Sequence, residues 1–241
     1  MVFDSGIGGL GTLCEIEKSL PNEEFVFVAD FQNSPYGNKT KKQIKDCVLT
    51  VLKKYVKKFE PKCLVVACNT ATAVCIDEIR KTFDGVFCVG CEPAVKVAQK
   101  EGKTRILVLC TKATRKYSAY LKKQKNIVVF CPQKLATLID NNFLCEETII
   151  VYLNKCLKKF YKKFDAVILG CTHYVLFKKE IEKIVGCKTY EGNSGISKHI
   201  SKNVAHSKTK GKVHLISTTT KKEQFLIDCH QKIKGEKICV E

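Results

Sequence analysis

No apolar stretch in this chain reaches the roughly 18 residues that a helix needs to cross a bilayer. The opening Met1-Val2-Phe3-Asp4-Ser5 also lacks the basic and apolar regions of a secretion signal. Membrane insertion and export are therefore not expected, and the cytoplasm is the expected place of work. No G-x-x-x-x-G-K-[ST] loop is present, which leaves little room for a nucleoside triphosphate site. No His-x(3–5)-His pair stands beside cysteines at finger spacing, so a structural zinc site has little support. With 45% apolar and 27% charged residues in 241, the composition excludes disorder, collagen and coiled coil, and fits a soluble protein with one large or two small domains.

Two things are abundant. Lys and Arg number 42 against 24 Asp and Glu, a net charge of +18. Gathered in one place, that charge would favour polyanions. It is instead spread: Lys53-Lys54, Lys57-Lys58, Lys158-Lys159, Lys162-Lys163 and Lys178-Lys179 recur at helical spacing between apolar residues, as on the wet faces of amphipathic helices. Fifteen cysteines would mean disulfides in a short secreted chain, but here reduced thiols are expected. Cys63, Cys88 and Cys110 sit inside apolar runs, where a thiol behaves as a small core residue.

The apolar runs are short and β-branched, and each leads through a turn cluster into a longer segment of helical period, the pattern of an α/β fold around largely parallel sheets. Strands are expected near Val2-Phe3, Phe25 to Ala29, Cys63 to Ala67 and Gly85 to Val89, with helices starting near Gly9, Lys41 and Ala71. The scheme repeats with strands near Arg105 to Leu109, Ile127 to Phe130, Ala166 to Leu169 and Cys187 to Tyr190, and helices near Thr114, Glu146, Tyr174 and Ser194. A further run, Val213 to Ser217, precedes a last helix around Lys221 to Ile233, after a linker at Ala205 to Lys212. The expectation is two doubly wound lobes of about 100 residues each.

The third strand of each half ends in the same way. Cys63-Leu64-Val65-Val66-Ala67 runs into Cys68-Asn69-Thr70, and Ala166-Val167-Ile168-Leu169-Gly170 runs into Cys171-Thr172-His173. Ligands of open α/β sheets bind at the carboxyl ends of strands, beside helix N-termini that favour anions and thiolates. Taken singly, a strand-terminal cysteine is more often packing than catalysis. Two of them facing each other across a cleft suggest proton transfer on opposite sides of a chiral carbon, one thiolate removing the α-proton and one thiol returning it. That scheme requires no metal and no organic cofactor. Asn69, Thr70, Thr172 and His173 offer hydrogen bonds to a ligand carboxylate, and His173 is also placed to assist proton transfer or to be a satisfied structural histidine. His199, His206, His214 and His230 have no such setting and are expected at the surface or in linkers.

Two turns complete the pattern. Asp4-Ser5-Gly6-Ile7-Gly8-Gly9 joins the first strand to the first helix, as a phosphate loop or merely a tight turn, with Asp4 placed to bond an ammonium or tune a thiol. Ser34-Pro35-Tyr36-Gly37 follows the second strand, as a turn or as part of the cleft rim.

Val2-Phe3-Asp4-Ser5-Gly6-Ile7-Gly8-Gly9, Ser34-Pro35-Tyr36-Gly37, Ala67-Cys68-Asn69-Thr70-Ala71 and Leu169-Gly170-Cys171-Thr172-His173-Tyr174, in that order, resemble the glutamate racemases of the aspartate/glutamate racemase superfamily. Weaker likeness at Leu109 to Thr114 and Gly90-Cys91-Glu92-Pro93 extends the resemblance over nearly the whole chain. It implies cofactor-independent interconversion of L- and D-glutamate, supplying D-glutamate for peptidoglycan. By the same resemblance Cys68 and Cys171 match the catalytic cysteines and Asp4 and His173 the residues that assist them. Ser5, Tyr36, Gly37, Asn69, Thr70 and Thr172 match substrate-contacting positions, with Thr111 and Thr114 as further threonines near the substrate carboxylate.

The family's architecture implies a first lobe of residues 1–92 plus the returning tail 208–241, a second lobe of residues 93–207, the active site between them, and commonly a homodimer. The chain departs from the family pattern in four places. The chain begins one residue before the motif, so a first strand shorter than the family's and weak anchoring of Asp4 are expected. Asp140 stands where Glu is frequent and is expected to reach less far, Cys110 replaces a glycine, and Thr218 to Thr220 replace a Ser-Gly pair. Three rival functions remain: an aspartate racemase, a single-cysteine decarboxylase relative disfavoured by the second thiol, and a basic nucleic-acid-binding protein, for which no signature is present.

Overall fold

The computed structural model describes residues 1–208 and 211–236. Thr209 and Lys210, inside the expected linker, and residues 237–241 of the expected returning tail lie outside the described residues. Among the described residues, nine strands form two parallel sheets. The first holds β1 (Val2–Asp4), β2 (Phe25–Ala29), β3 (Cys63–Val66), β4 (Phe87–Gly90) and β9 (Val213–Ser217), in the order β4-β3-β1-β2-β9. The second holds β5 (Ile106–Cys110), β6 (Ile127–Phe130), β7 (Ala166–Gly170) and β8 (Thr189–Tyr190), in the order β6-β5-β7-β8. The mixed α/β architecture with helices on both faces is the class the sequence predicts. Strands β1, β2, β3, β5 and β7 are buried along their whole length, which is why they read as unbroken apolar runs rather than as an alternation.

Both sheets reverse direction at one point. In the first, the chain leaves β1 towards β2 and returns to the other side at β3; in the second it leaves β5 towards β6 and returns at β7. Such switch points open a crevice beyond the carboxyl ends of the two strands involved. The crevices lie past Asp4 and Cys68 in one sheet and past Cys110 and Cys171 in the other. Short as it is, β1 is not weakly anchored: it lies in the centre of its sheet, paired on one side with β2 and on the other with β3.

Local signals explain most helices. Thr40 and Gln43 form a reciprocal capping box at the start of Lys41–Phe59, whose last turn carries Lys57 and Lys58 beside its exposed carbonyls. Thr111 caps Lys112–Tyr117 through Thr114 N–H at 3.0 Å. Ser118 breaks that helix and caps the next, Ala119–Lys122, so the single helix expected near Thr114 is two. The helix expected near Tyr174 is likewise divided into Thr172–Val175 and Lys178–Val185.

The lobes share a seam. Ile7, Leu10 and Leu13 join Tyr174, Phe177 and Ile196 in one apolar cluster that spans both sheets. Thr12 Oγ1 donates to Asn193 Oδ1 at 2.8 Å, and Ser197 Oγ donates to Ser19 Oγ at 2.7 Å. No helix of the described residues is long and apolar enough to cross a membrane.

Candidate active site

A cavity of about 30 Å³ lies between the sheets, lined by Ser5, Tyr36, Gly37, Cys68, Asn69, Thr70, Thr111, Cys171, Thr172 and His173. Asp4 and Thr114 stand just behind its wall, each fully buried. The structure thus gathers every candidate residue from five separate stretches of sequence. Its volume corresponds to the space of only a few water molecules.

On the Cys68 side, the residue occupies the N-cap position of the Asn69–Thr82 helix, and its thiol lies 3.6 Å from Ser5 Oγ. Burial, and then the neighbouring Asp4 carboxylate, push the Cys68 thiol far above its ordinary range. Asp4 accepts from Gly6 N–H and from Thr172 Oγ1, each at 3.0 Å. Burial raises its carboxyl from 3.8 to about 6, and the His173 charge opposes that rise.

On the Cys171 side, His173 Nδ1 lies 3.8 Å from Cys171 Sγ, and His173 Nε2 lies 2.8 Å from Asp140 Oδ1. Burial alone would push the imidazolium down. The Asp140 carboxylate, by charge and by hydrogen bond, and then Cys171 reverse this and hold His173 well above its ordinary value. The Asp140 side chain therefore reaches its partner, contrary to the expectation from its length. It also accepts from Ile7 N–H at 3.0 Å and Ser34 Oγ at 3.2 Å, while Lys222 donates to its main-chain oxygen at 2.7 Å. Asp140 sits in an eight-residue helix, Leu135–Asn142, with no side-chain N-cap, and so left little mark in the sequence.

Three hydroxyls join the lobes beside the thiols. Thr70 Oγ1 lies 2.9 Å from Thr111 Oγ1 and 3.0 Å from Thr114 Oγ1, and Thr111 and Thr114 are 3.0 Å apart. Asn69 points elsewhere, donating to Cys91 O at 2.9 Å. Tyr36 lines the cavity with its ring, but its hydroxyl donates to Asp30 at 2.5 Å, so it supports the Ser34–Gly37 turn from behind. Asp30, which also accepts from Asn33 and Thr218, escaped the sequence reading; its one signal was an acid at the carboxyl end of β2.

Two spacings are present in the sequence without the sites they usually mark. Gly6, Gly8 and Gly11 carry the G-x-G-x-x-G spacing between a strand and a helix, as in dinucleotide sites. The space a phosphate would take is filled by the other lobe. A Cβ on Gly6 would run into the Asp140 carboxylate, and one on Gly8 would lie 2.5 Å from both His173 N and Thr172 Oγ1. These glycines let the lobes close on each other. Cys88-Val89-Gly90-Cys91 is a Cys-x-x-Cys pair, but its thiols enter different packing clusters across β4. The group with metal-ligand chemistry among the described residues is Cys14, Glu17 and His230, away from the cavity lining. There Glu17 is already paired with His230 at 3.3 Å and Lys234 at 3.4 Å, which makes His230 a buried, bonded residue and not the surface histidine expected.

Residues 15–200 match the model of the Asp/Glu/Hydantoin racemase family. Glutamate racemase 2 of Bacillus subtilis (strain 168) is 37% identical over 222 residues, which are 87% of this chain and 83% of the relative. The structure of Escherichia coli glutamate racemase in complex with L-glutamate and an activator superimposes with a TM-score of 0.82 at 26% identity, covering 96% of this chain and 94% of that one. Glutamate racemase from Aquifex pyrophilus superimposes with a TM-score of 0.76 at 31% identity, covering 100% and 96%. The chain belongs to the Asp/Glu/Hydantoin racemase family.

Proposed function

We propose that this protein interconverts L- and D-glutamate by two-base proton transfer, with Cys68 and Cys171 as the two bases. The observation that carries the reading is the pair of buried thiols, one at the switch point of each sheet, lining one cavity. The named activity of the B. subtilis and E. coli relatives supports glutamate as substrate.

In this mechanism a thiolate removes the α-proton while the opposite thiol supplies one to the other face, and reversal exchanges the roles. The His173 imidazolium is a counter-charge for a Cys171 thiolate, with Asp140 fixing the ring. Cys68, pushed up by burial and by Asp4, is the protonated partner at neutral pH, and Asp4 is the acceptor for its proton when the direction reverses. The hydroxyls of Thr70, Thr111 and Thr172, with Thr114 bonded behind the first two and with the N-terminus of the Asn69–Thr82 helix, receive the substrate carboxylates. Ser5, Tyr36, Gly37 and Asn69 shape the walls. No step draws on a metal or organic cofactor.

A cavity of about 30 Å³ does not hold glutamate, so the lobes, residues 1–92 with the returning tail and residues 93–207, part to admit it. The product fits a cytoplasmic supply of D-glutamate for peptidoglycan, from an enzyme that works as a homodimer. Assay of both enantiomers of glutamate and of aspartate tests the substrate. Racemisation of glutamate in both directions is expected, with aspartate at least ~100-fold slower in kcat/KM; faster turnover of aspartate would assign the protein to that substrate instead.

A further inference from the structure

At the edge of the second sheet stand two thiols that the racemisation does not use, Cys131 in the cavity wall and Cys110 behind it. The register of β5 with β6 ends with Leu109 beside Phe130; Cys110 and Cys131 are the next residues of the two segments, and both pack in the same apolar cluster. Cys110 is fully buried, while Cys131 is half-buried and opens onto a basic pocket of about 470 Å³ whose walls include Lys112, Arg115, Lys116 and Lys122. Among the described residues its lining holds no acidic one. Interaction with the Cys110 thiol pulls Cys131 below the ordinary thiol range against the opposing effect of burial, with Arg115 and Lys112 adding to the pull. The same interaction, with burial, pushes Cys110 up. One sulfur is thus a poised nucleophile open to solvent and the other a shielded proton donor next to it.

We propose that Cys131 and Cys110 are a dithiol that reacts with small anionic disulfides and closes to a Cys110–Cys131 disulfide. The Cys131 thiolate attacks one sulfur of the external disulfide, forming a mixed disulfide and releasing one thiolate. Once Cys131 has lost its charge, the Cys110 thiol gives up its proton to a departing thiolate and attacks the Cys131 sulfur. That closes the internal bond and expels the second thiolate. The two protein sulfurs are oxidised, and the external disulfide is reduced to one thiol, which carries the Cys110 proton, and one thiolate, which carries the charge Cys131 began with. The four cations recruit a disulfide bearing carboxylates, as in oxidised glutathione, over a neutral one. The bond would tie together the strand ends that carry Thr111 and Pro132, both in the cavity wall.

The test is independent of any racemase assay. The full chain is treated with oxidised glutathione, alkylated and digested with trypsin, which places Cys110 in peptide 106–112 and Cys131 in peptide 126–134. The expected product is these two peptides joined by a disulfide, formed before Cys68, Cys171 or the exposed Cys145 is lost. At low salt it should form about tenfold faster than with the neutral hydroxyethyl disulfide, an advantage removed by high salt. In Cys110→Ala, a mixed disulfide with glutathione should persist on Cys131. A wild-type chain that keeps a lasting mixed disulfide on Cys131, loses other cysteines first, or shows equal rates with the two reagents would overturn the proposal.

Discussion

Cys68 and Cys171 occupy equivalent places, each just past a buried strand and just before a helix, yet their company is opposite in charge. Cys68 has Asp4, an acid raised to about 6, and the Ser5 hydroxyl. Cys171 has His173, held well above its ordinary value by Asp140. Pseudo-symmetry of backbone thus carries asymmetry of electrostatics. For a two-base reaction this matters, because at any moment one thiol must hold a proton and the other must not.

The largest effect should come from removing either sulfur. Cys68→Ser and Cys171→Ser should each lower racemisation by ~10³-fold or more, measured by circular dichroism of glutamate, with the fold intact. Near wild-type activity in either variant would break the equivalence of the two sites. Asp140→Asn should come next, with a loss of ~10²-fold at pH 8 and a smaller loss at pH 6. Without the carboxylate, burial drives the His173 imidazolium down and it loses its proton at lower pH. A pH–rate profile unchanged from wild type would mean that Asp140 only supports the loop.

Gly8→Ala probes the closure that brings the two sides together. Its Cβ would meet His173 N and Thr172 Oγ1 at 2.5 Å, one of them rigid backbone. Thermal melts should show a loss of ~1–3 kcal/mol, and KM should rise as the lobes are wedged apart; wild-type stability and KM would show that the seam is soft. Asp4→Asn concerns stability against pH. Asp4 titrates near 3.8 when unfolded and near 6 when folded, so the folded protein binds more protons between those values and loses stability as pH rises through them. The variant lacks this cost and should gain ~3 kcal/mol on wild type between pH 3.8 and pH 6. A constant difference in melting would remove Asp4 as a strained acid.

The fold was legible because both sheets are parallel and buried, so strands such as Phe25–Ala29 and Ala166–Gly170 stand out as apolar blocks between helices. Strand order left no such mark, since β9 joins β2 across most of the chain. Cys68 and Cys171 were visible as polar interruptions at strand ends. Asp140 was visible only as a family position, and its hold on His173 depends on a short uncapped helix brought against the glycine turn by tertiary packing. Asp30 and Lys222 were silent, because what they do is hold other residues: Tyr36 in one case and the Asp140 main chain in the other. The glycines were legible as a turn but not as a contact, since the crowding at Gly6 and Gly8 comes from residues more than a hundred positions away.

The most direct measurement is wash-in of solvent deuterium at the α-carbon of glutamate, followed by NMR from L- and D-glutamate separately in wild type, Cys68→Ser and Cys171→Ser. The two-thiol account predicts that wild type racemises both enantiomers, that each new product molecule carries deuterium, and that both variants lose racemisation. Product formed without solvent deuterium, or undiminished racemisation in either variant, would contradict it.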